Sequence, residues 1–175
     1  VPRRPKRRAQ KGLLAAMIGA AGLLVAPVFG PTPVRFVWNV TPSIPVGLYR
    51  IDPIAMAHGG DVVALRPPPR LARLMATRRY VEMGALLLKP VAATPGARVC
   101  RHGHLVTVNE RPVAIALSAD RLQRPLPRWS GCQRLRRDAL FLLATERADS
   151  FDSRYFGPID RAAVLGRATL LWSPR

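Results

Sequence analysis

Past residue 34 the apolar positions fall in short runs, separated by segments rich in proline, glycine and aspartate. The runs VRFVWNV (34–40), VGLYRI (46–51), DVVALR (61–66), ALLLKPV (85–91), HLVTVN (104–109), RPVAI (111–115), ALFLLAT (139–145) and VLGRATLLW (164–172) are short and rich in Val, Leu and Ile, which predicts strands. A polar pair, Asn109-Glu110, between two of these runs predicts a hairpin. Helical spacing occurs between Pro69 and Gly84, where Leu71, Leu74, Met75 and Val81 share one face and arginines occupy the others. Residues 117–137 carry many prolines and arginines with little periodicity, and predict an extended excursion over the surface. The expected fold is mainly β.

The first 34 residues follow a different pattern. No charge occurs from Gly12 to Val34, enough for a helix at ~1.5 Å per residue to cross a ~30 Å hydrocarbon core. Pro27, Pro31 and Pro33 interrupt its far end, so a cleaved signal peptide is the alternative to an uncleaved anchor. Ahead of the run stand Arg3, Arg4, Lys6, Arg7, Arg8 and Lys11, which predicts that this end stays in the cytoplasm and the rest is exported. The organisation expected is a basic cytoplasmic tail (1–11), a single transmembrane signal-anchor (12–34) and a periplasmic domain (35–175), in a bacterial inner membrane. Cys100 and Cys132 would then lie where disulfides form, as a bridge or as two unpaired buried thiols.

A formal charge of +18 suits nucleic acid and an anionic membrane face equally. No glycine-rich phosphate loop supports nucleotide chemistry, and no specific nucleic acid is expected as a partner. Identity of the basic residues is more telling than their number, because Lys89 is the only lysine after Lys11. It follows Gly84-Ala-Leu-Leu-Leu88, where a solvated charge is out of place. Arginine stays protonated in proteins, whereas a lysine desolvated in an apolar pocket can become a neutral general base. Such a base needs a nucleophile, and Ser43, set between Pro42 and Pro45 in NVTPSIPVGLYRI, is the candidate, with a turn serine as the plain alternative. His58, His102 and His104 read as surface or turn histidines, and neither a metal nor a cofactor is expected.

Four blocks occur in an order that carries a resemblance: Thr41-Pro-Ser-Ile-Pro-Val-Gly-Leu-Tyr49, Gly60-Asp-Val-Val63, Leu88-Lys-Pro-Val-Ala-Ala-Thr-Pro-Gly96 and Ser150-Phe-Asp-Ser-Arg-Tyr-Phe-Gly-Pro158. Together they resemble the signal peptidase I superfamily, peptidase family S26, and most nearly its TraF branch of conjugative-transfer peptidases. The likeness implies a signal-peptidase/LexA-like β catalytic domain with one N-terminal transmembrane helix. It implies Ser43 as nucleophile and Lys89 as general base. The Ser43 backbone N–H and the Thr41 hydroxyl are implied as oxyanion donors, and Asp152 as a supporting acid, with Ser153 and Arg154 as local scaffold. Tyr49, Tyr155 and Phe156 read as packing residues. The sequence departs from many signal peptidases at Pro90, Ala93 and Ala97.

The branch further implies a membrane-inserted substrate, a pilin precursor for conjugative type IV secretion, with an acyl-enzyme resolved by water or by the pilin's own amino terminus to give a cyclic subunit. The competing expectations are a general signal peptidase I that cleaves exported preproteins and a non-enzymatic, basic, membrane-anchored component of the transfer machinery. A LexA-like self-cleaving repressor uses the same Ser/Lys logic, but its helix-turn-helix pattern is missing from the amino-terminal region.

Overall fold

The computed structural model describes Gly12, Ala16, Met17 and residues 33–174. The expected tail (1–11) and apolar span (12–34) therefore lie outside the described residues, apart from Gly12, Ala16, Met17, Pro33 and Val34. Among the described residues no helix is long and apolar enough to cross a membrane.

The unit Val34–Arg175 is mainly β. Its strands in chain order are β1 (Phe36–Asn39), β2 (Gly47–Asp52), β3 (Val62–Leu65), β4 (Leu87–Ala93), β5 (Arg98–His102), β6 (Leu105–Val108), β7 (Arg111–Ile115), β8 (Gly131–Arg134), β9 (Ala139–Leu142), β10 (Ile159–Asp160) and β11 (Val164–Trp172). Among the described residues these make a seven-stranded sheet, ordered β1-β2-β11-β3-β4-β9-β10, and a four-stranded sheet, ordered β7-β6-β5-β8. Every strand pairing among the described residues is antiparallel, so side-chain faces follow from the ladders.

Alternation along the large sheet sorts its apolar residues into two clusters. Val63, Leu65, Leu87 and Val91 join Met75 on one face. Ala64, Leu88 and Ala168 join Ile44, Tyr49 and Ile51 on the other. Lys89 pairs with Val63 and lies two residues from both Leu87 and Val91, so the period of β4 directs its amine to the Met75 face. Met75 comes from helix α1 (Pro69–Thr77), which begins with proline in its first turn, where the missing N–H costs nothing.

Three expectations are corrected. Helix α1 stops at Thr77 instead of running toward Gly84, because Arg79 turns into left-handed backbone (φ 57°) and Tyr80 leaves to bond Asp120 at 2.6 Å. The excursion at 117–137 is not wholly irregular: it contributes β8, and Leu126 and Leu135 are buried. Strand β5 went unforeseen because RVCRH alternates no apolar face; its ladders to β6 and β8 hold it in place. The hairpin turns at Asn109-Glu110 as expected, with both residues at positive φ (47° and 69°), the type I′ geometry that suits antiparallel strands.

One glycine fixes the path into β2. Gly47 has φ 154°, and a Cβ there would run into the Trp172 carbonyl of β11. Gly47→Ala is expected to cost on the order of 2 kcal/mol of stability, because both backbone conformation and close approach are lost. A lowered midpoint in thermal unfolding followed by circular dichroism checks this.

Candidate active site

Two segments converge on the Lys89 amine. Lys89 Nζ lies 2.9 Å from Ser43 Oγ and 2.8 Å from Ser150 Oγ, and the lysine is only 5% exposed. Ser43 comes from the β1–β2 loop, and Ser150 ends the loop that follows β9. The pairing of Ser43 with Lys89 bridges 46 positions of sequence.

The Ser43 loop holds its shape without much main-chain bonding, because Pro42 and Pro45 carry no N–H. Side chains take over. Tyr49 donates its hydroxyl to the Pro45 carbonyl at 2.8 Å, and Asn39 donates its amide to the Thr41 and Pro45 carbonyls at 2.8 and 3.0 Å. Thr41 Oγ1 stands 3.4 Å from Ser43 Oγ and 2.9 Å from Asn39 Oδ1.

On the other side, a buried ion pair sets the Ser150 loop. Asp152 and Arg154 are 0% and 1% exposed and meet through Arg154 Nε–Asp152 Oδ1 at 2.8 Å and Nη2–Oδ2 at 3.0 Å. Asp152 also accepts the Ala144 N–H at 3.0 Å, and Arg154 donates to the carbonyls of Ala144 and Ala148 at 2.8 and 2.9 Å. These bonds stitch residues 144–154 into one rigid loop. Asp152 also caps helix α2 (Ser153–Phe156), accepting the Arg154 N–H at 3.2 Å. Asp152 acts on Lys89 through space and through the loop; the amine's hydrogen bond on this side is donated to Ser150 Oγ.

Burial pushes the Lys89 pKa down from its ordinary value to about 8; Asp152 and Asp149 pull it up, and Arg154 pushes it down. Near neutrality a usable fraction of the amine is unprotonated and in contact with a serine hydroxyl, the requirement for base-assisted nucleophilic attack. The site opens into a cavity of about 730 Å3 whose walls include Met75, Val81, Leu87, Leu122 and Phe151. Residues 117–126 cross one side of it, tied to Tyr80 through Asp120 and to the Ser150 loop through an Arg121–Asp149 ion pair.

Pro90 does not disturb the lysine. Its carbonyl accepts the Leu143 N–H at 2.9 Å, and the next N–H, from Val91, reaches the Asp61 carbonyl at 2.8 Å. Cys100 and Cys132 face each other across β5 and β8 and are joined by a disulfide. His102 lies beside them, but both sulfurs are committed to the bridge, so this group offers no thiolate to a metal.

Sequence reasoning singled out Ser43, Lys89, Thr41 and Asp152, and the structure gathers the first three around one hydroxyl. It passed over Ser150 and Asn39. Ser150 opens a block already notable in the sequence, and its position two residues before Asp152 was the available signal. Asn39 gave none, since an asparagine at the end of a strand reads as turn chemistry.

The site pairs a serine hydroxyl with a buried lysine amine. Residues 8–173 match the family described as signal peptidase, peptidase S26, and the chain belongs to that family. Its relatives are particular. The chain is 38% identical over 168 residues to the probable conjugal transfer protein TraF of Sinorhizobium fredii, covering 90% of this chain and 85% of that one. It is 32% identical over 167 residues to the plasmid transfer protein TraF of Escherichia coli, covering 90% and 92%. It is 25% identical over 115 residues to the signal peptidase I of Leptolyngbya laminosa, covering 66% and 52%.

The lowered lysine pKa makes a stability prediction. Between about pH 8 and 10.5 the unfolded chain holds the Lys89 proton and the folded chain does not, so stability rises with pH across that window. Below it the buried ammonium costs the fold on the order of 3 kcal/mol. Lys89→Met, which fills similar space without charge, is expected to stabilise by about 2 kcal/mol at neutral pH, allowing for the two serine hydroxyls it leaves unpaired. Denaturant titrations at increasing pH check that this gain shrinks above pH 8.

Proposed function

We propose that this protein is a membrane-anchored serine endopeptidase that uses Ser43 as nucleophile and Lys89 as general base. The carrying observation is a serine hydroxyl 2.9 Å from the amine of a buried lysine whose pKa is lowered to about 8. Neutral Lys89 takes the Ser43 proton as Oγ bonds to the scissile carbonyl carbon and the carbonyl π pair moves to oxygen. The Ser43 N–H stabilises that oxyanion. Collapse of the intermediate breaks the C–N bond, and the Lys89 ammonium returns the proton to the departing amine, leaving an ester on Ser43. Ser150 and Asp152 act as positioning residues, Ser150 directly on the amine and Asp152 through the loop it braces.

The substrate proposed is a pilin precursor for conjugative transfer, supported by the names of the relatives, which are conjugal and plasmid transfer proteins. The uncharged run at 12–34 behind its basic tail supports an inner-membrane anchor with the domain in the periplasm, and the Cys100–Cys132 bridge is compatible with that compartment. Ser43 follows the uncharged run closely in sequence, which suits a precursor whose scissile bond emerges at the bilayer surface. The ester is resolved by water or by the pilin's own amino terminus.

Ser43→Ala and Lys89→Ala are each expected to reduce processing of precursor pilin by at least ~10^3-fold, since each removes a partner in one proton transfer. Unchanged processing in either variant would sink the assignment. For the wild type, kcat/KM is expected to rise with pH through an acid limb near 8, reporting the fraction of neutral Lys89. Mass spectrometry of the mature pilin reads the fate of the ester: transpeptidation gives a product lighter by one water than the linear chain, and hydrolysis gives a free amino terminus. Rescue of cells depleted of their housekeeping signal peptidase would point instead to general preprotein cleavage.

A further inference from the structure

The amide of Asn39 is only 5% exposed and fills the inside of the nucleophile loop. Its Nδ2 lies 2.8, 3.0 and 3.3 Å from the carbonyl oxygens of Thr41, Pro45 and Ile44. Carbonyls only accept, so the nitrogen must face them. Its Oδ1 then receives the Thr41 N–H at 3.2 Å and the Thr41 hydroxyl at 2.9 Å. The reversed amide would set oxygen against three carbonyls and NH2 against an N–H, so the orientation is fixed by its partners.

A threonine hydroxyl has one proton, and Asn39 Oδ1 can only accept. The Thr41 proton therefore points at Asn39, and the side of Thr41 Oγ1 that faces Ser43 Oγ at 3.4 Å offers lone pairs. We propose that Asn39 is a positioning residue that holds the Thr41 hydroxyl as an acceptor for Ser43 in the free enzyme, so that Thr41 helps to set the pH at which Lys89 gives up its proton. This rests on the reading of Ser43 and Lys89 as nucleophile and base.

The arrangement gives the Ser43 proton two destinations. When Lys89 is neutral the serine donates to Nζ. When Lys89 is an ammonium it donates to Ser43 and Ser150, and the Ser43 proton turns to Thr41. Thr41 therefore favours the ammonium form, together with the carboxylates of Asp152 and Asp149 and against Arg154 and burial. Removing this acceptor moves the protonation of Lys89 to lower pH.

The test is the pH dependence of kcat/KM on precursor pilin, using full-length protein in detergent. Thr41→Val removes the acceptor, and Asn39→Ala frees the Thr41 proton to turn toward Ser43. Both are expected to shift the acid limb downward by ~0.5 pH unit, the size of one modest hydrogen bond. Thr41→Ser retains a hydroxyl held by Asn39 and is expected to keep the wild-type limb. Thr41→Val leaves the Asn39 amide in place, which keeps the test decisive if Asn39→Ala does not fold. An unmoved limb in Thr41→Val overturns the proposal, whatever happens to the high-pH plateau, which reports transition-state stabilisation instead. Retained processing in Ser43→Ala would instead overturn the underlying dyad, so the two failures are distinguishable.

Discussion

The structure depends on one unfavourable placement, the amine of Lys89 on an otherwise apolar sheet face between Leu87 and Val91. An unpartnered ammonium there would be costly enough to favour a neutral amine or a distorted strand. Two serine hydroxyls from different loops remove part of that cost, and neither loop can shift without leaving the amine short of a partner. The residual cost is expressed as a lowered pKa, the property that a lysine would need to act as a general base. The large sheet supplies the stiffness: β4 lies between β3 and β9, with Lys89 paired to Val63 on one side and the next residues, Pro90 and Val91, held by β9 and its flank on the other.

The two loops are built by opposite means. In the Ser43 loop the prolines remove main-chain donors, and neutral side chains, Asn39 and Tyr49, bond the carbonyls left over. The Ser150 loop depends on charge, with a fully buried Arg154–Asp152 pair bonding four main-chain groups of the same segment. A buried pair of this kind adds little net stability but penalises every alternative path of the loop, because each alternative leaves a charge unpaired. That trade suits a loop whose task is to put one hydroxyl 2.8 Å from an amine.

What could be read from the sequence follows from where each signal lies. The apolar runs of β3 and β4 were legible because both faces of these strands are buried, and that of β2 because buried Tyr49 and Ile51 alternate with less buried neighbours. Strands β5 and β8 were not, since RVCRH and GCQR take their place from ladders and a cross-strand disulfide. The early end of α1 was hidden because the Tyr80–Asp120 bond that draws the chain away spans 40 positions. Lys89 stood out by being a lone lysine in an apolar run. Asn39 could not, because its role lies in the orientation of an amide, which no spacing encodes.

On the proposed reading, the choice between hydrolysis and transpeptidation does not lie in the dyad. Both resolutions need a neutral nucleophile to lose a proton to Lys89, so the same base serves water and amine alike. The discrimination must come from what shares the cavity with the ester. Its walls carry Met75, Val81, Leu87, Leu122 and Phe151, and residues 117–126 are tethered at Asp120 to Tyr80 and at Arg121 to Asp149. A bound chain segment that fills such a space displaces water and presents its own terminus at high effective concentration. How completely the substrate fills the cavity therefore decides which nucleophile reaches the ester first.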